Sequence, residues 1–368
     1  MRFSVERDRF HEALQEVLYA LPRTSTSEIR NNVFLGLTGS ELLMYGANLD
    51  FSVERTIEVA GEEDGRLTLP GKTLDSIVSS MPAGILKVES QGFNAKVYTG
   101  SGVYNLLGLD PDQYLPRREV KDPQLVLRVP LEILRKANEV VTFCAAKEDP
   151  RPYLNGILVQ VRDGELRFVA SDSHRLAFYR VTSADFTGQA DAIVPRDAFE
   201  FVKKLKDGEH PVRLIFAEST WGLEMDGTRM VTRLIEGPYA NYEDVIPRPD
   251  GNVLQVARET LEQALRRLMI VAEPPTYLVR MSLKEGQVEL TATSSSVGEG
   301  TETLEARYIG EPMDIGINAQ SFQEILRHID DEEVMVRVYS PTSALRIDPA
   351  TPLEDEGILY LTMPLRLE

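Results

Sequence analysis

"VERDRFHEALQEV", residues 5–17, decides the fold, because its pattern occurs three times in the chain. Phe10, Ala13, Leu14 and Val17 fall at i, i+3, i+4 and i+7, the spacing of one buried helix face. Val5, five residues before Phe10, is an apolar position of strand type. The template returns in "VPLEILRKANEVV" (129–141) as Leu134, Ala137, Asn138 and Val141, behind Val129. It returns again in "VARETLEQALRRL" (256–268) as Leu261, Ala264, Leu265 and Leu268, behind Val256. The offsets are 124 and 127 residues.

Two further anchors keep the same order, which marks internal repetition. "GSELLMYGANLD" (39–50), "DGELRFVASDSH" (163–174) and "EGQVELTATSSS" (285–296) each place a glycine-bearing turn before an apolar strand, with Leu42, Leu166 and Val288 corresponding. Glycine permits the positive φ of a hairpin turn. "LTLPGKTL", "AIVPRDAF" and "IGINAQSF" then open a second helix, in which Leu74, Phe199 and Phe322 correspond, as do Ile77, Val202 and Ile325. Proline-bearing stretches, "YLPRREVKDPQL" (114–125) and "VIPRPDGNVL" (245–254), close the first two copies, since proline cannot continue a central strand. The reading is an α+β chain of three repeated domains, 1–120, 121–248 and 249–368. Each has two helices packed on antiparallel sheets, an architecture able to curve into an arc or ring.

The composition, 42% hydrophobic and 27% charged, is that of a globular protein. No apolar run approaches the ~18 residues of a membrane span, and "MRFSVERDRF" has charges where a signal peptide needs an apolar run. The single cysteine, Cys144, excludes an internal disulfide and a cysteine-rich metal site, which points to a cytoplasmic setting. The net charge of −18 argues against a uniformly nucleic-acid-binding surface. Charge is nonetheless partly segregated. Helical segments carry Arg7, Arg9, Lys72, Arg135, Lys136, Arg196, Lys203, Lys204, Lys206, Arg266, Arg267 and Arg327, whereas "GEEDG" (61–65), "DDEE" (330–333) and "LEDEG" (353–357) are acidic loops. A basic lining of that kind would follow a phosphate backbone without reading bases.

"SDSHRLAFYR" (171–180) is the one candidate for catalysis. Neighbours at a strand end point to opposite faces, so Ser171, Asp172, Ser173 and His174 do not converge as a triad by themselves. No G-x-S-x-G, H-E-x-x-H or phosphate-binding glycine loop is present. His11, His210 and His328 are scattered in charged contexts and are expected at the surface. The acidic loops lack a calcium-binding pattern. No catalytic residue, metal or cofactor is expected. The repeats place "ANLD" (47–50) and "TSSS" (293–296) where the middle copy has "SDSH", so the scaffold itself does not require His174, Arg175 or Leu176.

"RPYLNGIL" (151–158), "SDSHRLA" (171–177) and a C-terminal "MPLRL" (363–367) resemble the β sliding clamps of bacterial DNA polymerase III. The likeness extends to "MRFSVERD", "VPRDAFEFVKKL" and "YEDVIPR", and so runs end to end. The resemblance implies the DNA-clamp fold and a head-to-tail homodimeric ring around double-stranded DNA. It also implies docking of the replicative polymerase, the clamp loader and repair proteins through short peptide motifs. Carried over by position, the peptide pocket comprises Leu154, Ser171, Ser173, His174, Arg175, Leu176, Asp244, Val245, Leu361, Thr362, Met363, Pro364, Leu365 and Arg366. The implied DNA contacts are Arg23, Lys72, Tyr153 and Arg196. The implied dimer seam joins Tyr104 and Leu106, on an edge strand, to Ile270 and Val271, at the end of the third copy's first helix. Ala240, Glu148, Pro152 and an additional terminal Glu368 depart from the family pattern. Two other readings remain open at this point: a repeat protein that binds only proteins, favoured by the acidic charge, and a small-molecule enzyme built on the His174 cluster.

Overall fold

A computed structural model of the chain describes residues 1–100, 102–351 and 354–367. Glu368 and Leu353 of the "LEDEG" loop lie outside these residues. Six helices occur among them: α1 (Arg7–Leu18), α2 (Gly71–Ser80), α3 (Leu131–Val141), α4 (Arg196–Glu200), α5 (Arg258–Leu268) and α6 (Ala319–Leu326). They are the two helices expected in each repeat. Every residue of the first-helix template is buried: Phe10, Ala13, Leu14 and Val17 on α1, Leu134, Ala137, Asn138 and Val141 on α3, Leu261, Ala264, Leu265 and Leu268 on α5. Burying one such leucine, valine or phenylalanine contributes roughly 1.5–3 kcal/mol, so the stripe, and not intrinsic helix propensity, holds these short helices. Gly46 lets α1 approach its sheet closely, because a Cβ there would lie 2.5 Å from the Val17 carbonyl oxygen.

Two compact units organise the chain: Met1–Arg135 with Asp197–Leu234, and Lys136–Arg196 with Ile235–Glu368. The middle repeat contributes strands to both. Unit 1 holds a five-stranded and an eight-stranded sheet, and unit 2 a nine-stranded and a four-stranded sheet, all antiparallel. The two large sheets are composites. In unit 1, Phe51–Glu58 of the first repeat pairs with Thr228–Arg233 of the second. In unit 2, Arg175–Thr182 of the second pairs with Glu356–Thr362 of the third. Each joint continues a sheet from one repeat into the next through main-chain hydrogen bonds. One edge of the five-stranded sheet, Val103–Leu106, and one edge of the four-stranded sheet, Gly298–Glu305, have no such continuation among the described residues.

Three expectations change. Ile270 and Val271 do not end a helix: α5 stops at Leu268, and both residues lie in the following turn. His328 is not a surface residue. Its ring stacks on Phe143 with centroids 3.9 Å apart and planes 3° apart, and burial lowers its pKa from the usual value. His11 is half-buried against Asp75, 3.1 Å away. Local sequence shows charge around these histidines but not what packs on them from distant segments.

Candidate docking site and nucleic-acid contacts

The "SDSH" turn is built by its own polar side chains. Asp172 Oδ1 accepts the backbone N–H groups of His174 and Arg175, each at 3.0 Å, and its Oδ2 accepts Arg175 Nε at 3.0 Å. Ser171 Oγ donates to the Arg175 carbonyl (2.8 Å) and accepts the Ser173 N–H (3.1 Å). Ser173 takes the left-handed conformation at φ 73°, which such a tight turn demands. Both Asp172 oxygens are therefore committed to the hairpin, so this carboxylate does not orient His174 as a general base.

Arg175 is equally committed. Beyond Asp172 it donates to Glu324 Oε2 (2.6 Å) and to the Phe143 carbonyl (3.1 Å), and its guanidinium stands 5.2 Å from the centre of the Phe143 ring. These bonds tie the hairpin to α6 and to the 3-10 turn Thr142–Cys144. Cys144 beneath them is buried, and burial pushes its thiol pKa well up; an uncharged thiol there is inert. Arg175 serves as scaffold, while His174 and Ser173 remain exposed.

Leu176 pairs with Leu361 across the second joint, and Arg175 with Thr362. Both leucines belong to an apolar cluster with Leu158, Val169, Ile193, Tyr242 and Leu359, and Tyr153, Tyr239 and Ile246 pack on it. Beyond Thr362 the chain is pinned at two points: the Met363 N–H donates to the His174 carbonyl and the Leu365 N–H to the Gly316 carbonyl, both at 2.8 Å. The 3-10 turn Glu243–Val245 lies between Tyr242, a member of the cluster, and Ile246, which packs on it. Met363, 47% exposed, and Val245, 55% exposed, present apolar surface on the segments that adjoin the cluster's Leu361 and Tyr242 in the chain. Leu154 is buried in the 3-10 turn Pro152–Asn155, whose loop is fastened to the hairpin by Arg151. Arg151 donates to Asp149 and to Ser173 Oγ (3.0 Å), and it holds the Asp149 carboxyl down at about 2. Pro364 and Leu365 are half-buried, and Asp244 and Arg366 are exposed, with Asp244 accepting from Asn241 at 2.7 Å.

All fourteen carried-over pocket residues lie in unit 2, and of these Leu176 and Leu361 belong to the apolar cluster itself. Tyr239 and Tyr242, which precede the second linker, and Ile246, within it, also belong to or pack on the cluster, and sequence reading missed them. The signal for them was present in the paired tyrosines of "PYANYEDV". Glu324 and Phe143, which fix Arg175, gave none, since Glu324 is 149 residues away.

Of the candidate nucleic-acid contacts, Arg23 and Lys72 come together in unit 1, where Lys72 Nζ donates to the Arg23 carbonyl (2.9 Å). In unit 2, Arg196 donates to the Ala145 carbonyl (2.9 Å), and Tyr153 meets Tyr239 edge to face at 5.9 Å. Most of the other helix cations are already paired: Arg7 with Asp8, Arg135 with Asp207, Lys136 with Asp330, Lys206 with Glu12, Arg267 with Glu302 and Arg327 with Glu262. Arg9, Arg23, Lys72, Lys204 and Arg266 are exposed cations without an acidic partner among the described residues. The basic lining is thinner than the sequence suggests, because acids on the helices (Asp8, Glu12, Glu262) and in segments between them (Asp207, Glu302, Asp330) pair with its cations.

At the candidate seam, Tyr104 is 46% exposed while Leu106 is buried, both on the edge strand Val103–Leu106. Ile270 is 77% exposed and Val271 half-buried. Among the described residues no three metal-ligating side chains converge, and no helix is long and apolar enough to cross a membrane.

Comparison with known proteins is consistent along the whole chain. Family models of the DNA polymerase III beta subunit match its N-terminal domain at residues 1–116, its central domain at 128–241 and its C-terminal domain at 243–366. The Beta sliding clamps of Escherichia coli K12 and Vibrio cholerae are 27% and 28% identical, over all of this chain and all of theirs. Among solved structures, the DNA polymerase III beta subunit of Thermotoga maritima shares the fold at TM-score 0.94, 23% identity and complete coverage of both chains. A Pseudomonas aeruginosa sliding clamp bound to griselimycin also matches at TM-score 0.94, with 25% identity and complete coverage of both.

Proposed function

The chain belongs to the DNA polymerase III beta-subunit family and is a sliding clamp of DNA replication, a non-catalytic processivity factor; from that premise we propose that it acts as a ring-shaped homodimer encircling duplex DNA in the cytoplasm. Three domains, 1–120, 121–248 and 249–368, build each half of the ring. The observation that carries this reading is the unequal use of sheet edges. Both junctions between consecutive repeats are continuous β-ladders, while the corresponding edges of the first and third repeats are unpaired among the described residues. A long unpaired edge invites association, and head-to-tail pairing of two copies consumes both edges and closes the assembly.

A ring tethers by topology, so it needs no tight grip on phosphate. That agrees with a net charge of −18 and with helix cations mostly neutralised by acids. Arg23, Lys72, Tyr153 and Arg196 supply the few contacts with the backbone, which position without reading sequence. The cluster around Leu176 and Leu361, open at Val245 and Met363, takes a short peptide of the polymerase, clamp loader or repair proteins. A clamp of the same fold bound to griselimycin supports a ligand-accepting surface on such proteins.

The test is retention on DNA. Protein loaded on a nicked circle stays bound through gel filtration and is lost when the circle is linearised. Equal loss from both forms rejects the ring. Removing residues 365–367 abolishes capture of a clamp-binding peptide and leaves the dimer intact; unchanged peptide affinity rejects the pocket.

A further inference from the structure

The first strand of each repeat is covered along its outer edge in two copies and bare in the middle one. Val5, Val129 and Val256 correspond, and they pair inward with Leu86, Val212 and Val334. On its other side Arg2–Glu6 takes the short strand Ala60–Glu63, and Asn252–Ala257 takes Arg307–Ile309, both antiparallel. Those covering strands follow Phe51–Glu58 and Gly298–Glu305 in the chain. The matching stretch of the middle repeat, 183–189 after Arg175–Thr182, contains no strand. Leu125–Val129 therefore pairs only with Val212–Phe216 among the described residues and ends its eight-stranded sheet. An unpaired edge is a template for an added strand.

The side chains beside that edge select what it takes. Arg128 lies opposite Arg213, a like-charge cross-strand pair, which costs stability. The row continues through Glu224, Arg229 and Glu54 on the next strands, and Arg117 of the first linker forks onto Glu54. Glu224 is shared by Arg213 (2.6 Å) and Arg229 (2.9 Å), and Arg128 has no acidic partner among the described residues. These six residues line one open cleft of about 670 Å³, with four arginines against two carboxylates. Asp226, the third carboxylate of the cleft, is met by His210 at 2.7 Å. Val126, on the same face as Arg128, is 43% exposed, while Leu127, on the helix face, is buried.

We propose that the Leu125–Val129 edge docks an extended segment of a partner protein as an added antiparallel strand. That segment carries an acidic residue opposite Arg128 and apolar residues in the next two places. The covering strand of the third repeat shows the pattern. Arg307, Tyr308 and Ile309 lie opposite Gln255, Leu254 and Val253, the counterparts of Arg128, Leu127 and Val126. Tyr308 and Leu254 are both buried. An acid in the place of Arg307 would meet Arg128 and offset its repulsion with Arg213. In the first repeat the covering strand is itself acidic, AGEE, and its Glu62 reaches Arg2 at 3.7 Å. The surface lies in unit 1, whereas the cluster around Leu176 lies in unit 2. It rests on neither the ring nor that pocket.

The experiment uses the full-length protein and a fluorescent synthetic peptide, residues 305–312 (EARYIGEP) with Arg307→Glu, followed by polarisation. Saturable binding is expected, at least ~10-fold tighter than for the unsubstituted peptide. Arg128→Glu in the protein should reverse that preference, and because Arg128 is exposed the fold tolerates the change. Hydrogen exchange should slow across 125–129 when the peptide binds, as an added ladder requires. No saturable binding, equal affinity for the two peptides, or an unaltered preference in Arg128→Glu overturns the proposal. So does binding without protection at 125–129, which is charge attraction alone. Displacement of the probe by a clamp-binding peptide would place it in the unit 2 cluster and overturn the assignment as well. Two further outcomes reject a partner peptide as the occupant. A single-stranded oligonucleotide that displaces the probe and itself loses affinity in Arg128→Glu makes it nucleic acid, and self-association that the probe disperses makes it a second copy.

Discussion

The two internal joints are the same piece of architecture used for different ends. On the helix side both are closed by buried pairs, Met230 with Val53 and Tyr360 with Ala177. On the opposite side they diverge. At the first joint the paired positions are Ser52 and Val231, both buried, and the first linker seals that face. Arg117 forks onto Glu54 at 2.9 and 2.5 Å, Tyr45 donates to the Pro116 carbonyl, and Tyr114 donates to the Asn32 carbonyl. At the second joint the same positions are Leu176 and Leu361, and the second linker lines the cluster without closing it. The proposed docking surface lies where an equivalent strand pair has two leucines and its linker lines them without covering them. The lesson is that repetition supplies the platform, and a few substitutions on one face supply the function.

The comparison can be broken at several points. The largest effect is expected from Y360A, which removes a fully buried ring and its 3.0 Å hydrogen bond to the His328 carbonyl. It should cost about 3–5 kcal/mol, read as a lower urea midpoint; M230A at the equivalent position should cost about 2–5 kcal/mol. If Y360A were neutral, the second joint would not be a structural core. V245D with M363A should weaken peptide binding at least ~10-fold, or about 1.4 kcal/mol, with little change in stability, because both side chains are exposed. R117A at the sealed joint should leave peptide binding unchanged by titration calorimetry and lower stability by about 1 kcal/mol.

Two titrations separate the joints further. Glu16, buried below the first joint, accepts from Thr228 Oγ1 at 2.6 Å, yet burial raises its pKa. Its charged form is therefore disfavoured in the folded state, and the stability it contributes is present below its unfolded pKa and lost as pH rises through the folded one. E16Q should raise the melting temperature by a few degrees at neutral pH, with the gain vanishing in acid. His328, near the second joint, has its pKa lowered by burial, so its stabilisation is present above the unfolded value and lost as pH falls through the folded one. H328F should flatten that acid-side loss in thermal melts; an unaltered pH profile would separate His328 from it.

Much of the fold was legible because periodic burial is local. A helix stripe such as Phe10, Ala13, Leu14 and Val17 records in sequence which face meets a sheet, and three copies at near-constant offset record the repeat. The residues of the proposed pocket were legible only through the family resemblance; composition alone would have left "SDSHRLAFYR" an ambiguous polar cluster. Its polar residues proved to be turn chemistry, which sequence pattern does not distinguish from catalysis. The pairing state of the helix cations was also hidden, because partners such as Lys206 and Glu12 lie far apart along the chain.

By itself the sequence determined the secondary elements, their threefold order and the buried face of each helix, since these depend on neighbours within a few residues. Tertiary structure decided which strands join across repeats and in what register. It also decided that Arg175 is scaffold, that one linker seals while the other lines, and that the edge strands of the first and third repeats are unpaired among the described residues. Those outcomes depend on residues more than a hundred positions apart meeting across a sheet, and the energy of such a meeting is written in neither segment alone.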